Sequence, residues 1–295
     1  MFSIIIPSYN RKNEIPALLT SLEYQTEYNF EVIIVDDHSV EPVEIKHLYP
    51  FPVNVIRNEQ NLGAAESRNV GARFAENEWL LFLDDDDDRF AHPKCEILAK
   101  TINENPTINF IYHPSECVMV NEGFSYITRP YENEQAVTLE NILLANKVGG
   151  MPMIAIKKSF FFAVNGLSTD LKSLEDYDFI LKVISHNQFK PKYVSEALTT
   201  CTFHTKRASV STNTQNTELA IETIKQKYVK TDIQQKNFAF NALYMLSYPH
   251  IMNLSRKAAC YYWQMFLQSK NIKHLVIATL IFISPKLAIN MKRFI

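Results

Sequence analysis

Four short apolar runs dominate the first third of the chain: residues 2–7, 32–35, 53–56 and 79–83. Each is rich in β-branched or aromatic residues and gives way to polar residues at its C-terminal side. Runs this short and this largely apolar suit strands buried in a parallel sheet. Residues 14–26 carry Ile15, Leu18, Leu19 and Leu22 at helical spacing, and residues 63–76 read as a further helix with Asn61 as its N-cap. The order reads β-α-β-α-β-α-β. It predicts an α/β fold: a doubly wound, mixed but mostly parallel sheet with helices on both faces. Right-handed crossovers then carry residues 7–10, Asp36-Asp37 and the segment after Leu83 to one sheet edge.

That last segment is a run of five aspartates, Asp84, Asp85, Asp86, Asp87 and Asp88. Concentrated charge behind a buried strand is costly unless it meets water or a cation. Carboxylates at this density suit a hard divalent ion, Mg²⁺ or Mn²⁺, and open α/β sheets bind ligands beyond the carboxyl ends of their strands. The run reads as a metal-diphosphate site; the alternative is a solvated acidic loop. Neither a GxGxxG fingerprint nor a P-loop occurs, and the chain has only six glycines. Diphosphate charge must then be met by a metal and by cations. Arg68 is the candidate cation, because its fork donates two parallel hydrogen bonds; the alternative is an exposed helix arginine.

The middle of the chain is less regular. Helices are expected near 93–103, 138–146 (capped by Thr138) and 174–186, with strands near 110–112, 117–120 and 153–156. Residues 209–217 form a polar linker candidate, followed by mostly helical patterning. The four cysteines are scattered without a CxxC pair, which supports neither a zinc site nor a disulfide framework and fits a reducing cytoplasm. The chain opens directly on a strand-like run with no basic leader. Net charge is −2, yet no acidic residue follows Asp232, where eight lysines and arginines stand. Such a split points to an anionic partner surface for the tail, and nothing points to nucleic acid. The longest apolar run, 275–283, is too short to span a bilayer. Its basic, aromatic surroundings suit either a helix in a membrane interface or a packed lid.

Five segments in order resemble glycosyltransferase family 2. They are Ser3-Ile-Ile-Ile-Pro-Ser-Tyr-Asn10, the stretch from Ser21 through Val35-Asp-Asp-His-Ser39, Asn61-Leu-Gly63 through Gly71, Phe82 through Asp87, and Leu174-Glu-Asp-Tyr-Asp-Phe179. The likeness covers about the first two-thirds of the chain, and the joint order is more specific than any one segment. It implies a GT-A fold over residues 1–212, with a nucleotide-binding part to about 105 and an acceptor-binding part to 212. Residues 213–295 would be a C-terminal helical, basic extension.

The resemblance also assigns residues. Pro7 and Tyr9 line the nucleotide pocket, Asp37 accepts from the base and so favours a UDP-sugar donor, and Arg68 meets the diphosphate. Asp84 and Asp86 match the two acids of the DxD motif and hold the metal, with Asp85 beside them in the nucleotide-binding group. Asp176, with Glu175 as fallback, is the catalytic base; a solvated helix face is the alternative for Glu175, Asp176 and Asp178. His204 joins the metal shell or diphosphate, or is structural. His38 departs from the family's usual glycine and would bear strain if that position needs a positive φ. The QxxRW pattern of processive members is absent, which implies one sugar per encounter.

The expected activity is therefore that of an inverting, metal-dependent hexosyltransferase. Its donor is a UDP-hexose or UDP-N-acetylhexosamine, and its acceptor a glycan or lipid-linked glycan of a surface polysaccharide. The expected location is cytoplasmic, peripheral at the inner face of the plasma membrane. A nucleotidyltransferase would share the nucleotide-binding half but needs a glycine-rich turn after the first strand, where Pro7-Ser-Tyr-Asn-Arg11 has none. A non-catalytic nucleotide-sugar-binding scaffold would lack the acids, and they are present. Side-chain geometry around Gly149-Gly150-Met151-Pro152 is expected to select sugar and acceptor.

Overall fold

The computed structural model describes residues 1–85, 88–206 and 213–291. The first half runs β1 (Phe2–Ser8), α1 (Ile15–Leu22), β2 (Phe30–Asp36), β3 (Val53–Arg57), α2 (Ala64–Phe74), β4 (Trp79–Phe82), β5 (Arg89–Phe90), α3 (Lys94–Glu104), β6 (Phe110–Tyr112), β7 (Ser115–Met119) and β8 (Phe124–Ile127). There follow α4 (Leu139–Leu144), β9 (Ile154–Lys157), α5 (Lys158–Ala163), α6 (Glu175–Ile184), β10 (Pro191–Tyr193) and β11 (Thr199–Phe203). Five helices close the described chain: α7 (Thr214–Tyr228), α8 (Asp232–Met252), α9 (Ala258–Ser269), α10 (Ile272–Ile283) and α11 (Pro285–Asn290).

Seven strands form the main sheet in the order β10-β6-β9-β4-β1-β2-β3. β1 pairs in parallel with both β2 and β4, and only β9 runs against its neighbours. Alternation along β1 explains the layering. Ile4 and Ile6 face a core with Leu18 and Leu22 of α1 and Leu98 of α3, while Ile5 faces the opposite core with Val70 of α2 and Ile180 of α6. α2 lies so close on β1 that a Cβ at Gly71 would sit 2.5 Å from an Ile5 methyl, so only glycine fits there. A smaller sheet, β5-β11-β7-β8, flanks the first.

Two local expectations are corrected. No helix joins β2 to β3: an irregular crossover packs Val43 and Phe51 into the core on the α1 side instead, so the order there is β-β. Asn61 does not cap α2; Gly63 occupies the N-cap with φ 86° and no side-chain bond. Thr138 does cap α4, accepting from the Asn141 amide. The first part of the proposed linker, residues 209–212, lies outside the described residues, and α7 begins at Thr214 within the rest.

α7 and α8 bury Ala220, Ile221, Ile224 and Phe238 in the same core as α6. Asn241 of α8 donates to the Tyr177 hydroxyl of α6 (3.1 Å). α9 and α10 build a separate cluster around Tyr262, Met265, Ala278 and Ile281.

Candidate active site

Parallel pairing of β1, β2 and β4 sets their C-terminal ends on one edge, as the crossover argument requires. Pro7 is buried at the end of β1, and Tyr9 beyond it is 48% exposed. The loops after β1 and β2 are stitched together: the Asn10 amide donates to Ser39 Oγ (2.8 Å), and the Val40 amide donates to Asn10 Oδ1 (2.9 Å). His38 adopts φ 64°, the strained left-handed conformation foreseen at that position.

Asp37 is buried and already committed. Its Oδ1 accepts from Asn58 Nδ2 and the Leu62 amide (both 2.8 Å), and its Oδ2 accepts from the Gly63 amide (2.7 Å). The carboxylate thus ties β2 to the loop entering α2. A carboxylate oxygen accepts two bonds, so Oδ2 keeps one place for a ligand donor.

The centre of the edge is Arg68. It is not an exposed helix arginine, since its side chain is only 5% exposed. Nη2 donates to Asp84 Oδ1 (2.6 Å), while Nη1 lies 3.7 Å from Glu175 Oε1 and 4.0 Å from Asp176 Oδ1. Burial opposes its charge, but the three carboxylates outweigh burial and raise its pKa. Nε and Nη1 are buried without a hydrogen-bond partner in the protein. A buried donor left unsatisfied is costly. Arg68 therefore offers N–H groups to an incoming anionic oxygen.

Glu175 and Asp176 open α6, just after Leu174, which takes the left-handed conformation (φ 60°, ψ 21°). A leucine there is strained, and such strain persists only where the surroundings impose it. Asp176 Oδ2 accepts from the Met151 amide (3.0 Å), and Oδ1 is buried without a partner. Burial, then Glu175 and Asp84, push its pKa up against the pull of Arg68 and the Met151 amide. Because 31% of the side chain remains open, water moderates that shift. Gly150 makes the approach possible: a Cβ there would stand 2.8 Å from Asp176 Oδ2.

Asp178 is a different case. It is fully buried, accepting from Ser168 Oγ (2.6 Å) and the Tyr228 hydroxyl (3.0 Å), with Lys227 at 3.5 Å. The solvated-face alternative fails for this acid, which anchors α7 to α6.

Sequence reasoning passed over Lys94. Its side chain is fully buried, donates to the Pro152 carbonyl and Thr199 Oγ1 (both 2.8 Å), and stands 3.7 Å over the Phe90 ring. Burial pushes its pKa down to about 7 against the smaller pull of Cys95, Cys201 and Asp88. Lys94 thus holds from below the turn whose Met151 amide holds Asp176. Its position directly after Pro93, at the start of a helix, gave no periodic signal of burial.

Asp84 and Asp85 follow β4 and are half-buried; Asp86 lies outside the described residues. His204 is half-buried, one residue past β11. Among the described residues no three His, Cys, Asp or Glu side chains form a ready metal cluster. Asp84 alone still fits a hard cation, since Mg²⁺ is commonly held by one or two carboxylates together with substrate phosphates.

Comparisons with known proteins bear on the family and the fold. The profile of Glycosyl transferase family 2 matches residues 3–157. A Haemophilus influenzae protein described only as a glycosyltransferase is 62% identical over 293 residues, 99% of each chain. The Escherichia coli UDP-Glc:alpha-D-GlcNAc-diphosphoundecaprenol beta-1,3-glucosyltransferase WfgD is 28% identical over 189 residues, 63% of this chain and 71% of its own. Among solved structures, S. aureus TarS 1–349 in complex with UDP-GlcNAc superposes with TM-score 0.64 at 20% identity, covering 99% of this chain and 89% of its own. Mannosyltransferase PcManGT from Pyrobaculum calidifontis, in complex with GDP-Man and Mn²⁺, gives 0.55 at 15% identity, covering 99% and 86%. These likenesses show a shared GT-A fold with a C-terminal helical part.

Proposed function

The chain belongs to glycosyltransferase family 2 and is a glycosyltransferase; from that premise we propose that it moves one sugar from a UDP-hexose or UDP-N-acetylhexosamine onto a glycan or lipid-linked glycan, with inversion. The carrying observation is Arg68. It joins the aspartate segment to the Glu175-Asp176 pair and keeps unpartnered N–H groups beside both.

Asp176 takes the proton of the acceptor hydroxyl as its oxygen attacks the anomeric carbon. The bond from that carbon to the diphosphate oxygen breaks, and the electron pair leaves with the diphosphate. A carboxylate whose proton affinity is raised is a stronger base at neutral pH than an ordinary one. Arg68 donates to the oxygens on which charge develops. Asp84 and Asp86 would hold Mg²⁺ or Mn²⁺, with His204 as a further ligand; when bound, the cation supplies positive charge at the departing diphosphate. Pro7 and Tyr9 border the nucleotide, and Asp37 uses its remaining acceptor place on the uracil N–H. Retention by double displacement would instead need a second carboxylate as nucleophile.

The UDP and UDP-GlcNAc named with TarS, and the UDP-Glc and diphosphoundecaprenol-linked acceptor named for the E. coli relative, support a UDP-sugar donor and a lipid-linked acceptor in surface polysaccharide synthesis. A cytoplasmic location at the inner membrane face follows from that acceptor. The test is UDP release and sugar transfer with Mn²⁺ across a donor panel. Asp176→Asn should retain donor binding and lose turnover by about a hundredfold or more. Full turnover by that variant would overturn the base assignment, and full activity in excess EDTA would overturn the metal.

A further inference from the structure

The outer face of α10 has no partner in the described chain. Ile281 and Ala278 turn inward onto α9, whereas Ile272, Val276, Thr279 and Ile283 recur at helical spacing on the opposite side. Ile272 is 70% exposed and Ile283 57%. Phe282 flanks this stripe at 70% exposure, and α9 adds exposed Trp263 and Leu267. A run of exposed large apolar side chains on one helix marks an interaction surface rather than ordinary solvation.

The charges around the stripe identify the occupant. Lys270, Lys273 and Lys286 are exposed at its ends, with Arg256 and Lys257 before α9. No acidic residue occurs in the chain after Asp232. A second copy of this chain would bring the same cations to the same face and be repelled. No helix among the described residues is long and apolar enough to cross a membrane, so the stripe meets a surface without entering as a span. Apolar residues flanked by lysines are what an interfacial helix presents to lipid.

We propose that α10 docks on an anionic lipid bilayer through this stripe, its lysines against the headgroups. The inference deepens the membrane-side placement proposed above and is independent of the catalytic assignments. Because α8 buries Phe238 in the main core, the intact chain is the protein to test, and exposed positions are the ones to change.

The experiment is co-sedimentation of the full chain with vesicles of phosphatidylcholine alone or with phosphatidylglycerol, at low and high salt, with sizing and UDP binding as controls. Wild type should pellet with the anionic vesicles and be partly released by salt. Lys270→Gln/Lys273→Gln/Lys286→Gln should weaken that binding about a hundredfold, each cation near the surface contributing about fivefold. Ile272→Ser/Val276→Ser/Ile283→Ser should weaken it too and remove the part that resists salt. Both variants should bind UDP as wild type does. Absence of wild-type binding, equal binding to neutral vesicles, or a dimer dispersed by the serine variant without any vesicle binding would each overturn the proposal.

Discussion

Gly150→Ala separates stability from catalysis at this site. Gly150 has φ −96° and ψ −178°, an extended backbone that alanine adopts without strain. Replacing glycine at a compatible position stabilises by about 0.4–1 kcal/mol through the unfolded chain. The added Cβ would stand 2.8 Å from Asp176 Oδ2, where ordinary contact begins at 3.4 Å. The far end of a side chain can yield, so folding loses little, but the carboxylate must move by about 0.6 Å and its bond to the Met151 amide breaks. A misplacement approaching 1 Å costs up to about a hundredfold in rate. Expected is an unchanged or slightly higher Tm by calorimetry, unchanged UDP affinity, and kcat lower by about 10- to 100-fold. The acidic limb of the pH-rate profile should also rise, because the lost amide no longer favours the ionised carboxylate. Wild-type kcat with an unmoved limb would refute the argument that Asp176 is positioned by this turn.

Three further outcomes follow from the same geometry. Asp176 is raised in pKa chiefly by burial, so kcat/KM should fall on acidification along a limb above the ordinary carboxylate range, about 4. Its folded pKa exceeds its unfolded one, so the native state binds the proton more tightly, and this group's contribution to stability declines as pH rises from about 4 through the folded pKa. Asp176→Asn should remove that decline from a Tm-versus-pH series, and an unaltered series would contradict it. Lys94→Met removes a donor to Thr199 Oγ1 and one of two donors to the Pro152 carbonyl, which keeps the Thr199 hydroxyl, and should cost about 1 kcal/mol. Thermal unfolding reads this as a lowered Tm; an unshifted Tm would mean that the buried lysine does not hold the turn.

The sequence by itself determined the frame of the site. Mostly apolar runs fixed β1, β2, β3 and β4, although β3, with Asn54 inside it, is a part-exposed edge strand rather than one buried on both faces. Parallel pairing places their ends, with Asp37 and Asp84, on one edge. These features are legible because hydrophobic periodicity is a local property and crossover handedness is general. The positive φ at His38 was legible because glycine is the usual residue there. The crossover between β2 and β3 is irregular rather than helical because two buried anchors, Val43 and Phe51, suffice to pack it on the sheet without a regular element.

Tertiary structure alone decided which acids meet which cation. Arg68 and Glu175 are far apart in the chain, and only the packing of α2 and α6 against the same face of the sheet brings them together. Glu175, Asp176 and Asp178 look alike in sequence, yet helix rotation sends Asp178 toward Tyr228 and Asp176 toward Met151. The charge of the tail was countable from composition, but not that α7 and α8 join the main core while α10 turns an apolar stripe outward. Such choices depend on contacts between distant segments, whose energies no local pattern records, and only the folded core settles them.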